Sequence, residues 1–189
     1  MSILDIRVLG DPILRQATTP VATITDGLQR LIDDMFDTMY HARGIGLAAP
    51  QVGRSERLAV LDLGDDPFVI INPAVVQASS GKARGEEGCL SIPDIYADVE
   101  RPKTVTVRAL DRRGTEFERE ATDLLARCLQ HEIDHLDGKL FLDYLSVLKR
   151  TAALAKWKLT SDDFPGYIRR VSLETPEDLR GHEHPEEEL

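Results

Sequence analysis

Apolar residues recur at helical spacing in the first long segment of the chain. Six of them lie three or four positions apart: Leu28, Leu31, Ile32, Met35, Phe36 and Met39. This spacing predicts a helix with one apolar face, capped by Thr25 and running to about Ala42. The glycine of Arg43-Gly44 can take the left-handed conformation that commonly ends a helix.

A second helical pattern begins at Thr122 and stops at Asp137-Gly138. Its residues form two stripes, one of Leu124, Cys128, His131 and His135, the other of Leu125, Leu129, Ile133 and Leu136. Because the two stripes cover much of the girth, we predict a buried helix with both histidines facing inward. A third helix is predicted from Tyr144 to about Thr160.

Shorter apolar or alternating runs predict β-strands between these helices. They cover residues 58–63, 68–71, 104–107 and 115–120. Residues 64–67 and 111–114 have the composition of turns, and Asn72-Pro73 is predicted to close the second strand. Residues 44–51 are too rich in glycine, and too few, to assign to either structure.

Composition limits the classes of protein that fit. The chain has 189 residues, of which 42% are apolar, and this favours one globular domain, predicted here as residues 1–165 with an acidic extension at 166–189. The 23 basic and 33 acidic residues give a formal charge of −10, which argues against broad binding to DNA or anionic membranes. No apolar run approaches the ~18 residues of a membrane span. With only two cysteines and no visible secretory signal, we expect a soluble protein of a reducing, intracellular compartment.

The pentapeptide His131-Glu132-Ile133-Asp134-His135 carries the clearest chemistry. Residues four apart lie one helical turn above each other, so His131 and His135 can bind one cation. Glu132 is then placed to act as a general base on an activated water. Two satisfied core histidines are the alternative interpretation. Burying two imidazoles beside a carboxylate is costly unless a cation organises them, and this favours the metal site.

A catalytic metal site needs a third protein ligand. The nearest downstream carboxylates are Asp137, Asp143 and, much further on, Glu174. Cys89 is the better candidate, because a thiolate is a strong ligand and Gly88 leaves room for a metal and substrate. Cys128, one turn before His131, is predicted to line a pocket instead.

Three segments together resemble the peptide deformylase family. They are Gly44-Ile45-Gly46-Leu47-Ala48-Ala49-Pro50-Gln51, Glu87-Gly88-Cys89-Leu90-Ser91 and Gln130-His131-Glu132-Ile133-Asp134-His135. Each matches the family's signature without substitution, and the resemblance extends from about Ile6 to Lys149. It implies an α+β fold in which small antiparallel β-sheets surround a central metal-binding helix, with an N-terminal and a C-terminal helix. The implied activity is removal of the N-formyl group from the initiator methionine of new polypeptides.

The resemblance also implies a role for each matching residue. Cys89, His131 and His135 would bind the metal, with Fe(II) expected and zinc, nickel or cobalt able to substitute. Glu132 would transfer the proton, while the Gln51 side chain and the Leu90 backbone N–H would stabilise the oxyanion. The remaining positions would bind substrate: Ile45, Gly46 and Gly88 through the backbone, and Leu124 and Cys128, with Ile45, in the methionine pocket.

Further expectations concern neighbouring residues and partners. Arg101 is expected to pair with Asp134 and steady the metal helix. Tyr96 stands where one branch of the family carries an arginine, so contacts beyond the methionine are expected to differ. The partners implied are formylated nascent peptides in the cytoplasm, and the ribosome through four basic residues: Lys149, Arg150, Lys156 and Lys158. The acidic tail after Glu174 would oppose this binding to RNA.

Two rival functions fit parts of the pattern. A zinc endopeptidase would share the histidine motif, but it needs a further downstream ligand and a cleft for internal peptide bonds. A metal-stabilised binding protein without activity would share the ligands, but intact Glu132 and Gln51 argue against it.

Overall fold

The computed structural model describes residues 2–64 and 66–171, and three α-helices lie within them. They are α1 (Asp26–His41), α2 (Asp123–Leu136) and α3 (Val147–Thr160). Thr25 caps α1 as predicted, since its hydroxyl accepts a hydrogen bond from Leu28 N at 3.2 Å. The predicted end of the second helix at Asp137 is also confirmed.

The third helix begins later than predicted. A short 3-10 helix covers Phe141–Tyr144, and Leu145 is extended. Ser146 then caps α3 by accepting a hydrogen bond from Lys149 N at 3.4 Å. Helical periodicity continues through both pieces, and for that reason the break is not visible in the apolar pattern.

Nine strands lie in the described residues and form three antiparallel sheets. They are β1 (Ile6–Arg7), β2 (Gly46–Ala48), β3 (Leu58–Leu61), β4 (Phe68–Ala78), β5 (Lys82–Cys89), β6 (Ile92–Pro102), β7 (Thr104–Leu110), β8 (Glu116–Thr122) and β9 (Ile168–Arg169). The largest sheet has the order β2-β3-β4-β7-β8, β5 and β6 form a hairpin, and β1 pairs with β9. The predicted α+β class is confirmed.

The prediction that Asn72-Pro73 closes a strand is wrong, because β4 continues to Ala78. Asn72 has a positive φ of 52°, and the pairing with β7 shifts register between Ile71 and Ala74. The Asn72 side chain accepts from Val21 N and donates to Val21 O, both at 2.8 Å. A bulge fixed in this way changes the direction of the strand without ending it.

Two elements beside the site have no predictive pattern. The residues left unassigned at 44–51 contain β2, which forms because Gly46 and Ala48 pair with Leu61 and Ala59 of β3. The β5–β6 hairpin is also unpredicted. In β5 the exposed positions are charged and the alternate ones include Ala83 and Gly85, so the usual apolar alternation is missing.

Helix α2 lies at the centre of the fold. Leu129, Ile133 and Leu136 pack in one core cluster with residues of β3, β4 and β7. A second cluster joins α1 to β2 and β3, and a third places Phe141 and Trp157 behind the β5–β6 hairpin. The histidines are therefore carried by an element held on several sides.

The chain returns to its N-terminal end after α3. Strand β9 pairs with β1, and Val8 N donates to Tyr167 O at 3.0 Å. Packing thus continues beyond residue 165, where the predicted domain boundary lies. The acidic stretch 174–189 falls outside the described residues. None of the helices described is both long and apolar enough to cross a membrane.

Candidate metal centre

Cys89, His131 and His135 converge at one point between the hairpin and α2. One ligand atom from each lies within 4.8 Å of the other two, and Cys89 Sγ is 3.2 Å from His135 Nε2. The imidazoles stand edge to face with centroids 4.9 Å apart. The spacing of four residues places one histidine a helical turn above the other on α2, as the sequence pattern predicts.

Cys89 reaches the histidines because the hairpin is irregular at its end. The β5–β6 register shifts between Glu87 and Cys89, so Cys89 pairs with Ile92 across a tight connection. Gly88 lies under the ring of Tyr96, and a Cβ at this glycine would be 2.5 Å from a ring carbon. A side chain at Gly88 would therefore displace the exposed Tyr96 ring.

The three donors fit a divalent transition metal. Ligands about 2.0–2.3 Å from a shared tetrahedral ion lie roughly 3.3–3.8 Å apart, and the 3.2 Å between Cys89 Sγ and His135 Nε2 is close to this range. One thiolate and two imidazoles suit iron, zinc, nickel or cobalt. Within the described residues, the buried Glu132 Oε2 and His135 Nδ1 have no hydrogen-bond partner. The free Glu132 oxygen, beside the three donors, is available to a bound water.

Glu87 accepts hydrogen bonds from two arginines and from the ligand His131. Its oxygens accept from Arg101 Nε at 2.6 Å and Arg127 Nη1 at 2.7 Å, and lie 3.0 Å from His131 Nδ1. Burial raises the pKa of Glu87, but the hydrogen bonds from Arg101 and His131 outweigh it and lower the pKa to about 2. An ionised Glu87 makes His131 Nδ1 the donor, and so directs Nε2 toward the ligand position.

The sequence alone does not reveal this role of Glu87. The residue belongs to the segment that carries Cys89, but nothing in the spacing tells which partner it has. The available signal is chemical: a metal-bound imidazole needs an acceptor for its second nitrogen, and Glu87 is the acidic residue of that motif.

The predicted pair of Arg101 and Asp134 is confirmed. Arg101 Nη1 donates to Asp134 Oδ2 at 2.7 Å, and Tyr144 Oη donates to the other oxygen at 2.8 Å. The Arg101 side chain is almost fully buried and thus links β6, which carries it, to both Glu87 and α2. This guanidinium adds to the links that Glu87 makes between the hairpin and α2.

Glu132 is buried beside the ligands. Burial, with a contribution from Glu87, raises its pKa to about 7 although His131 opposes the shift. A side chain at Gly46 of β2 would collide with the Glu132 carboxylate and with Cys128 Sγ. Glu132 therefore directly faces the glycine-rich strand and has a proton affinity suited to both taking and giving a proton near neutral pH.

Gln51 is buried beside Cys89, whereas most glutamines lie at the protein surface. Its Oε1 accepts from Ala48 N at 2.8 Å, which fixes the amide orientation. Its Nε2 then points toward the site, 3.2 Å from Ser91 Oγ and 3.5 Å from Cys89 Sγ. Leu90, the other residue assigned to the oxyanion, follows Cys89 directly.

An open cleft of about 680 Å³ leads to these residues. The residues predicted to bind substrate all line it: Ile45, Gly46, Gly88, Leu124 and Cys128. Leu124 is 55% exposed, so the expectation that its whole stripe faces inward is wrong at this position. It lies in the first turn of α2, at the rim of the cleft, where Cys128 one turn later is buried and has its thiol pKa raised by burial.

Comparisons with known proteins cover most of the chain. A sequence model of the polypeptide deformylase family matches residues 3–151. The peptide deformylase of Alkalilimnicola ehrlichii is 56% identical over 154 residues, covering 79% of this chain and 86% of that protein. A crystal structure of a peptide deformylase from Legionella pneumophila has a TM-score of 0.82 at 51% identity, covering 85% of this chain and 96% of that one. A peptide deformylase from Synechococcus elongatus in complex with actinonin has a TM-score of 0.79 at 46% identity, with coverages of 82% and 88%.

Proposed function

The chain belongs to the polypeptide deformylase family, a family of hydrolases, and from this we propose that it removes the formyl group from N-formylmethionyl peptides. The observation that carries the proposal is the convergence of three metal donors, a buried carboxylate and a glutamine amide at the end of one cleft. This set of groups suits hydrolysis of an amide whose carbonyl reaches the cleft floor.

Cys89, His131 and His135 would hold one divalent cation, Fe(II) by proposal, with zinc, nickel or cobalt as substitutes. When bound, such a cation lowers the pKa of a coordinated water and polarises the formyl carbonyl. The Glu87 carboxylate orients His131 for this task, and Arg101 holds the hairpin against α2.

Glu132 transfers the proton in the proposed reaction. As the water oxygen bonds to the formyl carbon, one Glu132 oxygen takes the water proton. The same carboxyl then gives a proton to the methionine nitrogen as the C–N bond breaks. The products are formate and a free α-amine. A pKa near 7 suits both halves of this exchange.

Two donors stabilise the negative charge that develops on the formyl oxygen. The Gln51 amide is held by Ala48, so it needs no reorganisation during the reaction. The backbone N–H of Leu90 supplies the second donor. Removing a donor of this kind costs about 2.7–4 kcal/mol of transition-state stabilisation.

The peptide is proposed to bind as an added strand. Within the described residues, β2 pairs only with β3 and β5 pairs only with β6, so each has a free edge. Gly46 belongs to β2 and Gly88 to β5, and both line the cleft together with Ile45, which precedes β2; backbone groups of these three residues would bond the peptide. The methionine side chain would lie against Leu124 and Cys128.

A comparison of three peptides as substrates tests this function. Metal-loaded protein is mixed with formyl-Met-Ala-Ser, acetyl-Met-Ala-Ser or a longer peptide blocked at both ends. We expect release of formate from the first peptide and no cleavage of the other two. Cleavage of the blocked peptide alone would instead identify an endopeptidase. A protein that binds metal but leaves all three peptides intact would be a binding protein.

We also propose that the chain acts on nascent peptides in the cytoplasm and that α3 contacts the ribosome. The basic residues Lys149, Arg150, Lys156 and Lys158 are exposed on this helix, next to the exposed Leu148 and Leu159. Co-sedimentation with ribosomes tests the contact. Binding should weaken in a variant with all four basic residues changed to glutamine, and it should persist without residues 172–189. Equal binding by the glutamine variant would exclude α3.

A further inference from the structure

The turn that follows Cys89 is hydrogen-bonded by residues near both ends of the described chain. Leu9 N donates to Ser91 O at 2.8 Å, and Arg169 Nη1 donates to Leu90 O at 3.2 Å. Gln51 Nε2 adds a third hydrogen bond, to Ser91 Oγ. The residues that supply the thiolate and the backbone oxyanion donor are thus on a turn with external anchors.

Arg169 is itself held in place by strand pairing and by the packing of the segment before it. Its backbone pairs with Ile6 in the β1–β9 sheet, and Ile6 is fully buried. Before this strand, Phe164 stacks on Trp157 with centroids 5.6 Å apart and an interplanar angle of 10°. The segment after α3 therefore presents Arg169 to Leu90 from a fixed position.

The hydrogen bond from Arg169 is the only one of the three anchors given by a charged group. Charge-assisted hydrogen bonds are stronger than neutral ones, and a guanidinium on a paired strand loses little freedom in making this one. The side chain is half-buried and lines the cleft beside Phe164, so the bond is partly removed from solvent.

We propose that Arg169 is a positioning residue: through the Leu90 carbonyl it holds the Cys89-Leu90-Ser91 turn in the geometry that hydrolysis needs. The proposal rests on the function proposed above. It places the β1–β9 sheet in direct support of the site, although β9 lies outside the residues 3–151 that the family model matches.

The test compares Arg169→Met with Arg170→Met in the full, metal-loaded chain. Arg170 is the exposed neighbour and serves as the matched control. For Arg169→Met we expect kcat on formyl-Met-Ala-Ser to fall roughly tenfold, as for loss of one charge-assisted hydrogen bond, with KM within about twofold. Arg169→Lys, which keeps one donor and the charge, should recover most of kcat.

Amide hydrogen exchange gives a readout that does not depend on activity. In Arg169→Met the amides of residues 88–92 should exchange faster, while those of α1 keep their rates. Arg170→Met should match the unmodified chain in both regions. If the methionine variant does not fold, Arg169→Gln replaces it in the same comparison.

Three outcomes would overturn the proposal or its premise. If Arg169→Met and Arg170→Met behave alike in kcat and in exchange, Arg169 does not position the turn. If Arg169→Met raises KM alone and exchange is unchanged, Arg169 contacts the peptide directly. If the unmodified chain releases no formate, the proposed function fails, and the exchange experiment still reports separately whether Arg169 anchors the turn.

Discussion

At the residue scale, one carboxylate joins the helix that carries both histidines to the hairpin that carries Cys89. Glu87 bonds to His131, Arg101 and Arg127 at the same time and is almost fully buried. A buried ion cluster of this kind is a weak source of net stability, but breaking it leaves charges without partners. Its main role here is to fix the orientation of a ligand.

Glu87→Gln should therefore weaken metal binding and folding together. We expect metal affinity to fall about 10–100-fold, since the acceptor for His131 Nδ1 loses its charge. The free energy of unfolding should fall by about 3 kcal/mol, since the buried Arg101 keeps only Asp134 as an ion-pair partner and the half-buried Arg127 loses its ion pair. Metal titration and urea unfolding measure the two effects.

The matched control is Glu86→Gln, one position earlier on the exposed face of β5. Its unfolding free energy should stay within about 0.5 kcal/mol of the unmodified chain. Equal metal affinity in the two variants would show that Glu87 does not orient His131.

Gly46→Ala tests the contact between β2 and the proposed proton carrier. The new methyl group would overlap the Glu132 carboxylate and Cys128 Sγ, so Glu132 must move. Misplacement by about 1 Å can cost 10²-fold in rate, and we expect a loss of that order in kcat/KM. Gly81→Ala is the control, because its Cβ would meet only Lys103 at 3.9 Å. Unchanged kcat/KM in Gly46→Ala would place Glu132 outside the reaction.

At the scale of elements, the residues that an apolar pattern can predict are those that face the core. Helices α1 and α2 and strands β3, β7 and β8 follow such patterns. The β5–β6 hairpin does not, because one face of β5 is charged and solvated and the alternate positions include Ala83 and Gly85. Strand β9 does not, because it is only two residues long and pairs with β1 near the other end of the chain. The metal ligands were predictable since their spacing is local or belongs to a motif. The links of Glu87 to Arg127 and of Arg169 to Leu90 depend on tertiary packing and were not.

The bulge in β4 is fixed by one side chain, that of Asn72, so substitutions at this position test its cause. Asn72→Ala loses both hydrogen bonds to Val21. It also places alanine, which has no polar side chain to stabilise the left-handed conformation, at a φ of 52°. We expect a loss of about 2–3 kcal/mol in unfolding free energy. Asn72→Gly keeps the backbone freedom and should lose only the hydrogen-bond part, about 1–2 kcal/mol. Equal unfolding free energies for Asn72→Ala and the unmodified chain would show that this bulge does not depend on the Asn72 side chain.

At the scale of the whole molecule, the proposed cation joins α2 to the hairpin and should stabilise the fold. A ligand that binds only the folded state at 100 times its Kd adds about 2.7 kcal/mol. Removal of metal by a chelator should therefore lower the melting temperature as well as abolish formate release. Addition of Fe(II), under anaerobic conditions, or of Ni(II) should restore both. A Cys89→Ala variant should show no such recovery; a full recovery would remove Cys89 from the ligand set.

The most direct test of the account measures formate release and bound metal together in Glu132→Gln. Glutamine keeps the size of the side chain but cannot carry the proton, while Cys89, His131 and His135 are untouched. We predict one metal ion per chain, as in the unmodified protein, and a loss of about 10²–10⁴-fold in formate release from formyl-Met-Ala-Ser. Formate release at the unmodified rate, with metal fully bound, would contradict the assignment of Glu132 and with it the proposed reaction.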